Sequence, residues 1–228
     1  MYKNSLVSII MPVYNEEKTV KEIIQRVLAL PIVDRLIIVN DNSRDKSLDI
    51  IKVLAKKDKR ITYLSNNVNR GKGYSVRRAL KEVTKGIIII QDADLEYYPE
   101  DYSKLLPKLT DNTIVLGTRM RGAKTGHEYK IAKFANYCLT EAFNVLYSKR
   151  ITDMNTCYKV FKKEMLYGIS LKEDGFLIEP EILIRLVKKG YNISEVDVRY
   201  KGRTYDEGKK ITAKDGISQM LYMIKNSL

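Results

Sequence analysis

Asp92 and Asp94 stand one residue apart, directly after an unbroken run of four isoleucines at 87–90, and Glu96 follows two positions later. Carboxylates this close repel one another unless a cation or hydrogen-bond donors neutralise them. Oxygen ligands of this kind suit Mg2+ or Mn2+, and Mg2+ is commonly held by one or two carboxylates together with substrate phosphates. A turn ahead of Pro99 accounts for the same aspartates without a ligand. An EF-hand calcium loop is excluded, because Tyr97 stands where that loop needs glycine. A second candidate is the segment 69–80, NRGKGYSVRRAL, in which Gly71, Lys72 and Gly73 precede a helical pattern. Such a loop can offer backbone N–H groups and a helix N-terminus to an anion, or can be a plain glycine turn. It is not a P-loop, and the dinucleotide pattern fails at Val76, where its third glycine belongs. The single histidine, His127, rules out a multi-histidine metal site and reads as a loop residue.

These residues need elements to hold them. Short runs rich in Val and Ile at 7–11, 35–39, 61–64 and 87–91 read as strands. Between them Val20, Ile23, Ile24, Val27 and Leu28 follow helical spacing, as do Leu48, Ile51 and Ala55, and then Val76, Ala79, Leu80 and Val83. Asn15 and Asp45 are placed to cap the first two helices. Strand and helix alternating in this way predict an α/β fold: a mostly parallel central sheet covered by helices on both faces. The isoleucines lack polar alternation because a central parallel strand is buried on both sides. The acids follow because ligands in open α/β sheets bind beyond the carboxyl ends of the strands. After a further strand at 112–118 the pattern changes. Residues 119–150 carry seven Lys or Arg against two Glu, interleaved with Phe134, Tyr137, Leu139, Phe143, Leu146 and Tyr147. A helix-rich half follows, with a strand at 193–200 and a C-terminal helix. No linker interrupts the chain, so 1–228 reads as one domain.

With 44% hydrophobic and 30% charged residues, the 228-residue chain falls among ordinary globular proteins and outside the disordered class. Its two cysteines, Cys138 and Cys157, form no CxxC pair, so no disulfide framework is expected and the compartment reads as reducing. The apolar run LVSIIMPV is interrupted by Pro12 and lacks a small-residue cleavage site, which makes it a first strand and not a signal peptide. No run approaches the ~18 apolar residues of a membrane-spanning helix. The protein is therefore expected to be soluble or to lie on a membrane surface. A net charge of +13 calls for an acidic partner, whether nucleic acid, anionic lipid or a phosphorylated substrate, or else serves solubility. No recognised nucleic-acid-binding motif is present, and nucleic acid is not expected as a partner.

Taken together and in order, SIIMPVYNEEKTV, IIVNDNSRD, NRGKGYS and QDADLEYYPEDY resemble inverting glycosyltransferase family 2 with a GT-A fold, a single Rossmann-like domain. TDMNTCYKVFKKE and GRTYDEGKKI resemble its branch related to dolichyl-phosphate mannose synthase and other polyprenyl-phosphate sugar transferases. The resemblance runs over residues 5–217. It implies that Pro12, Tyr14, Glu16 and Asp41 hold the nucleoside of a sugar nucleotide, with Val39 beside the base and Lys72 and Gly73 on the donor side. Asp92, Ala93 and Asp94 match the D-x-D that carries Mg2+ or Mn2+ and the diphosphate. Glu96, where the branch often has glutamine, joins the metal shell. Arg203, Lys209 and Lys210 match a basic loop that closes over the diphosphate. Residues 1–118 thus form the nucleotide-sugar half and 119–228 the acceptor half, with the basic lid and a final helix. A departing nucleoside diphosphate gathers negative charge, which a divalent cation and basic side chains stabilise. Closure of a lid also excludes water from the donor.

A hydroxyl acceptor needs a general base, whereas a phosphate monoester is already ionised near pH 7 and needs mainly positive charge to position it. Arg119 matches an arginine that binds lipid phosphate in the polyprenyl-phosphate branch, and Lys130 or Lys133 stands where a second arginine is expected. Glu179 and Glu181, with Asp153 as a third, are the candidate bases if the acceptor is a hydroxyl. The mixed basic and apolar segment 119–150 suits either a helix packed on the sheet or an amphipathic surface on anionic lipid. The expected activity is metal-dependent transfer, with inversion, from a UDP- or GDP-sugar to a polyprenyl or dolichyl phosphate. The site of action is the cytoplasmic face of a membrane, reached directly or through a membrane subunit. The alternative is a family 2 enzyme acting on a hydroxyl in polysaccharide or glycolipid synthesis.

Overall fold

A computed structural model describes residues 5–120, 127–203 and 212–227, and for 127–131 the backbone alone. Seven strands form one sheet: β1 (Val7–Val13), β2 (Arg35–Asn40), β3 (Ile61–Ser65), β4 (Ile87–Ile90), β5 (Thr113–Thr118), β6 (Lys159–Lys162) and β7 (Asn192–Asp197). Their order is β3-β2-β1-β4-β6-β5-β7. β6 runs antiparallel to both its neighbours, β4 and β5, and all the other pairings are parallel. The predicted strands are present within a residue or two at most boundaries. The last expected strand, 193–200, ends instead at Asp197, and β6 falls within the half expected to be helical.

Every residue of β4 is buried, as are the apolar residues of β1 and β2. Successive side chains of a strand point to opposite faces, so both faces of the central sheet are covered. The helices that cover it are α1 (Val20–Leu28), α2 (Ser47–Lys57), α3 (Lys72–Lys81), the short α4 (Tyr102–Leu105), α5 (His127–Tyr147), α6 (Ile178–Lys188) and α7 (Ala213–Lys225). α1 buries Val20, Ile23, Ile24 and Val27, the stripe its spacing predicts, and each such side chain contributes about 1.5–3 kcal/mol. α3 packs on β1 and β2, and α5 packs along α7. His127, read from sequence as a loop residue, is the first residue of α5.

The two expected caps differ in detail. α1 starts after Thr19, and Asn15 adopts a left-handed φ of 51° while its Oδ1 accepts the Arg44 N–H at 2.8 Å. Asn15 therefore ties the loop after β1 to the loop after β2. Asp45 does accept the Ser47 N–H at 3.0 Å, but the residue at the cap of α2 is Lys46.

The sheet's direction decides where chemistry can gather. β1 to β5 and β7 run the same way, so the segments after each of them leave from one edge. Tyr14 and Glu16 follow β1, Asp41 follows β2, Asp92 to Glu96 follow β4, Arg119 follows β5 and Arg203 follows β7. Antiparallel β6 begins at that same edge, which adds Cys157 and Lys159.

Candidate active site

A cleft of about 1030 Å³ opens at this edge and continues between α5 and α7. Pro12, Tyr14, Glu16, Asp41, Lys72, Asp92, Ala93, Asp94, Glu96, Arg119, Lys133, Glu179 and Arg203 all lie on its wall. Val39, Gly73 and Glu181 do not. Val39 is fully buried within β2, paired with Pro12.

The turn after β4 is pinned by Gln91, whose Oε1 accepts the hydroxyls of Tyr102 at 2.6 Å and Tyr158 at 2.8 Å. Beyond it the two aspartates part company. Asp92 faces Lys72, whose Nζ lies 2.7 Å from Asp92 Oδ1 and 2.7 Å from Glu179 Oε1. Glu179 is paired in turn with Lys159, a lysine only 2% exposed that also bonds the Thr156 carbonyl. Acid and base thus alternate: Asp92, Lys72, Glu179, Lys159. Burial works to raise the Asp92 pKa, but Lys72 outweighs it and holds the carboxyl below its ordinary range.

Asp94 faces the other way. Arg203 places Nη2 3.0 Å from Asp94 Oδ2, Nη1 3.0 Å from Glu16 Oε2 and Nε 3.4 Å from Glu96 Oε1. Glu96 also accepts the Arg203 N–H at 2.8 Å and the Tyr200 hydroxyl at 2.6 Å. Between the two acids Leu95 has a φ of 63°, a left-handed conformation that costs a branched side chain energy. That bend lets the Glu96 N–H reach Asp94 Oδ1 at 3.1 Å. Burial, with Glu96 and Asp92 close by, pushes the Asp94 pKa up to about 8.

Asp94, Glu96 and Glu16 are carboxylates of the type a hard divalent cation accepts, and here all three bond the Arg203 guanidinium. Among the described residues no three such side chains converge as they would around a bound ion, and Arg203 lies between these three. The sequence expectation grouped Asp92 with the metal ligands and Glu16 with the nucleoside. The structure engages Asp92 with Lys72 and sets Glu16 beside Asp94.

The glycine loop turns its N–H groups to acceptors of the protein itself. Arg70 and Gly71 donate to the Asp41 carboxylate at 2.9 and 2.7 Å, Gly73 donates to Gly175 O at 3.2 Å, and Tyr74 to Asp174 O at 2.9 Å. A Cβ at position 73 would collide with the Glu173 carbonyl, so glycine is there for close backbone packing. Asp41, expected at the nucleoside, also takes the Asn66 amide at 2.7 Å and thereby fixes this loop.

Deeper in the cleft, Arg119 forms a two-pronged pair with buried Asp153, Nε to Oδ2 and Nη2 to Oδ1, both 2.7 Å. Its guanidinium lies 5.1 Å from the Tyr200 ring centre, and Asn136 steadies Asp153 with a 2.8 Å bond. Lys133 donates to Met120 O at 3.3 Å, so it lies near Arg119. The side chain of Lys130, and Lys209 and Lys210 altogether, lie outside the described residues. Glu181 is fully buried and accepts the N–H groups of Lys172 and Glu173 at 2.8 to 3.0 Å, anchoring the loop that carries Phe176 into the cleft. Both cysteines are free, and Cys157 lies buried on the cleft wall.

The family model for glycosyl transferase family 2 matches residues 8–169. The chain belongs to that family. It is thus a glycosyltransferase, and its α/β architecture is the GT-A fold. A protein of Methanocaldococcus jannaschii described as uncharacterised is 32% identical over 216 residues, 89% of this chain and 93% of that one. The dolichyl-phosphate beta-glucosyltransferase ALG5A of Trichomonas vaginalis is 26% identical, over 85% of this chain and 65% of its own length. The glycosyltransferase AglJ of Haloferax volcanii is 25% identical, over 86% and 63%. The chain thus spans just under two thirds of those last two. Among solved structures, glucosyl-3-phosphoglycerate synthase from Mycobacterium tuberculosis in complex with UDP superposes with a TM-score of 0.71 at 18% identity, covering 99% of this chain and 79% of that one. The same enzyme with Mn2+, UDP-glucose and phosphoglyceric acid gives 0.70 at 20% identity, over 98% and 80%.

Cys157, Tyr200 and Asn136 line the cleft and Lys159 stands behind Glu179, places that sequence reasoning did not give them. Lys159 sits in a four-residue strand too short to show a period, and its burial depends on Glu179, twenty positions away.

Proposed function

We propose that this glycosyltransferase moves a sugar, with inversion, from a UDP- or GDP-sugar to a polyprenyl or dolichyl phosphate with the help of Mg2+ or Mn2+. The observation that carries this reading is the state of the three candidate bases. Glu179 is paired with Lys72 and Lys159, Asp153 is paired with Arg119 and accepts the Asn136 amide, and Glu181 accepts two backbone N–H groups. A hydroxyl acceptor needs one of them free to take a proton. A phosphate acceptor brings its own negative charge and needs donors and positive charge, which Lys133 and the edge of the Arg119 guanidinium turned from Asp153 would supply on the cleft wall.

The division of the cleft supports the same reading. The strand-edge end gathers Glu16, Asp94, Glu96 and Arg203, suited to a metal-bound diphosphate of the kind carried by the Mycobacterium enzyme. Once bound, the cation would neutralise charge on the leaving diphosphate. Past Arg119 the wall becomes apolar, with Leu139, Phe176, Ile217, Met220 and Leu221. Phe134, Tyr137 and Val145 on α5 and Ile217, Leu221 and Ile224 on α7 are exposed, an apolar rim fit to meet lipid. Among the described residues no helix is long and apolar enough to cross a membrane. The protein then works peripherally on the cytoplasmic face of a membrane, directly or through a membrane subunit. Residues 1–118 serve the donor and 119–228 the acceptor. The relative named as a dolichyl-phosphate glucosyltransferase fits this assignment.

The test is to incubate the purified protein with Mn2+, labelled UDP-glucose or GDP-mannose, and either a polyprenyl phosphate or the matching polyprenol. Label should pass to the phosphate alone. Transfer only to hydroxyl acceptors would overturn the reading.

A further inference from the structure

We infer that Glu195, on β7 and behind the cleft wall, is a positioning residue for the acceptor: its carboxylate sets the direction of the Arg119 guanidinium through Thr152 and Asp153. The inference rests on the proposed function for what Arg119 meets, though not for the geometry. β7 is the outermost strand and lies beside β5, with Glu195 in register with Leu116. Side chains two apart on a strand share a face, so Glu195 stands on the same side of the sheet as Thr118, the residue before Arg119. Thr152 and Asp153 reach it from the loop between α5 and β6. Glu195 accepts the Thr152 N–H with both oxygens at 2.8 and 2.9 Å, the Thr152 hydroxyl at 3.0 Å and the Asp153 N–H at 3.1 Å.

Two routes lead from these bonds to Arg119. Along the first, the Asp153 carboxylate takes the Arg119 main-chain N–H at 3.0 Å and its Nε and Nη2 at 2.7 Å each. A two-pronged pair fixes the plane of a guanidinium as well as its distance. Along the second, the hydroxyls have a direction. Thr152 Oγ1 has one hydrogen and gives it to Glu195, so at 2.7 Å it accepts from Thr118 Oγ1, which in turn accepts the Met120 N–H at 3.2 Å. Glu195 thus ends a chain that holds residues 118 and 120, on either side of Arg119, and also places the acid that grips the Arg119 side chain. Arg119 and Met120 line the cleft; among the described residues, Glu195, Thr152 and Asp153 stand behind them. Glu195 therefore acts on a bound acceptor only through Arg119, and a misplacement of about 1 Å in such a group can cost roughly a hundredfold.

The experiment compares Glu195→Ala with the wild type in steady-state kinetics. The acceptor is a water-soluble short-chain polyprenyl phosphate, and the donor is whichever of UDP-glucose and GDP-mannose the wild type uses. The KM for the phosphate should rise roughly tenfold to a hundredfold, while the KM for the donor stays within about twofold. An unchanged KM for the phosphate, or an equal rise for donor and acceptor, overturns the inference. Glu195→Gln keeps an oxygen for the two N–H groups but sets an NH2 against the Thr152 hydroxyl. It should show the same split at smaller amplitude, and by the same criterion it decides the matter if Glu195→Ala does not fold. Arg119 itself is followed by nuclear magnetic resonance, in protein isotope-labelled at arginine, through exchange of its Nε–H with water. That exchange should be roughly tenfold faster in the variant, the effect of one lost hydrogen bond on a local opening, and a rate equal to the wild type's overturns the inference. This second measurement needs no acceptor. Sugar transfer to hydroxyls alone, with faster exchange at Arg119, defeats the proposed function and leaves Glu195 its role. Transfer to phosphate with a KM and an exchange rate indifferent to Glu195 does the reverse.

Discussion

Asp92 and Asp94 leave the same strand two positions apart and enter clusters built on different cations. Around Asp92, two carboxylates alternate with two ammonium groups, Asp92 and Glu179 with Lys72 and Lys159. Around Asp94, the carboxylates of Asp94, Glu16 and Glu96 all bond the guanidinium of Arg203. A buried chain in which each charge has its partner is expected to act as scaffold, because removing one member strands a charge. Under the proposed function the Asp94 cluster is where a ligand cation would act. The D-x-D spacing thus joins two residues with different partners.

The largest expected effect falls on the matched side. Lys159→Met leaves Glu179 buried against Lys72 alone, and urea unfolding should show a loss of about 3–5 kcal/mol, the usual result of breaking a buried pair. Adding Glu179→Gln should recover part of that loss. If Lys159→Met proves as stable as the wild type, the chain of alternating charges is not scaffold.

On the Asp94 side the effect should appear in turnover. Asp94→Asn should lower kcat by roughly a hundredfold to a thousandfold, the range for removing one electrostatic stabiliser of a transition state. In EDTA the same variant should also change how stability depends on pH. A carboxyl raised from 3.8 to about 8 by burial and its acidic neighbours binds its proton more tightly when folded. The folded state therefore loses stability as pH rises through that interval. Asp92, held below its ordinary value, contributes in the opposite sense, with stability present above 3.8 and lost as pH falls through its folded value. Urea titrations between about pH 2 and 9 should find the decline flattened in Asp94→Asn and the acid limb, which lies below 3.8, unaltered.

The same contrast marks what was legible in the sequence. The strands around the donor site carry local signals, because β-branched runs and helical spacing repeat within twenty or so residues. The carboxylates at their ends could be placed at one edge before any coordinates. What stayed hidden depends on partners far apart in sequence. Nothing near Asp92 announces Lys72, and nothing near KVFK announces that Lys159 is buried against Glu179. β6 spans only Lys159–Lys162, too short for a period, and its antiparallel insertion between β4 and β5 is set by tertiary pairing. Gly73 shows the same limit: its type allowed either an anion-binding loop or a plain turn, while its neighbour is the carbonyl of Glu173, a hundred positions on.

That last point yields a smaller effect. Gly73→Ala should cost about 1–3 kcal/mol, as overpacking usually does, because the obstacle is backbone and cannot swing aside. Its consequence should reach the matched cluster, since α3 carries Lys72 and the loop it touches leads to Glu179. Donor turnover in Gly73→Ala should therefore fall along with stability. If only stability falls, the two loops are packed together without steering Lys72.

The smallest effect on folding belongs to the apolar rim, and there it is the absence of a stability change that carries information. Ile217 and Leu221 are exposed one turn apart on α7 and also line the cleft, so replacing both with serine removes apolar surface without opening a cavity in the core. Stability should stay within about 0.5 kcal/mol of the wild type, as exposed substitutions usually do. The KM for a long-chain polyprenyl phosphate should rise nonetheless, while that for a water-soluble short-chain phosphate, which meets Arg119 but not the rim, should not. Equal changes for both acceptors would mean that these side chains shape the phosphate pocket itself, and that the cleft does not divide into a charged end and an apolar end.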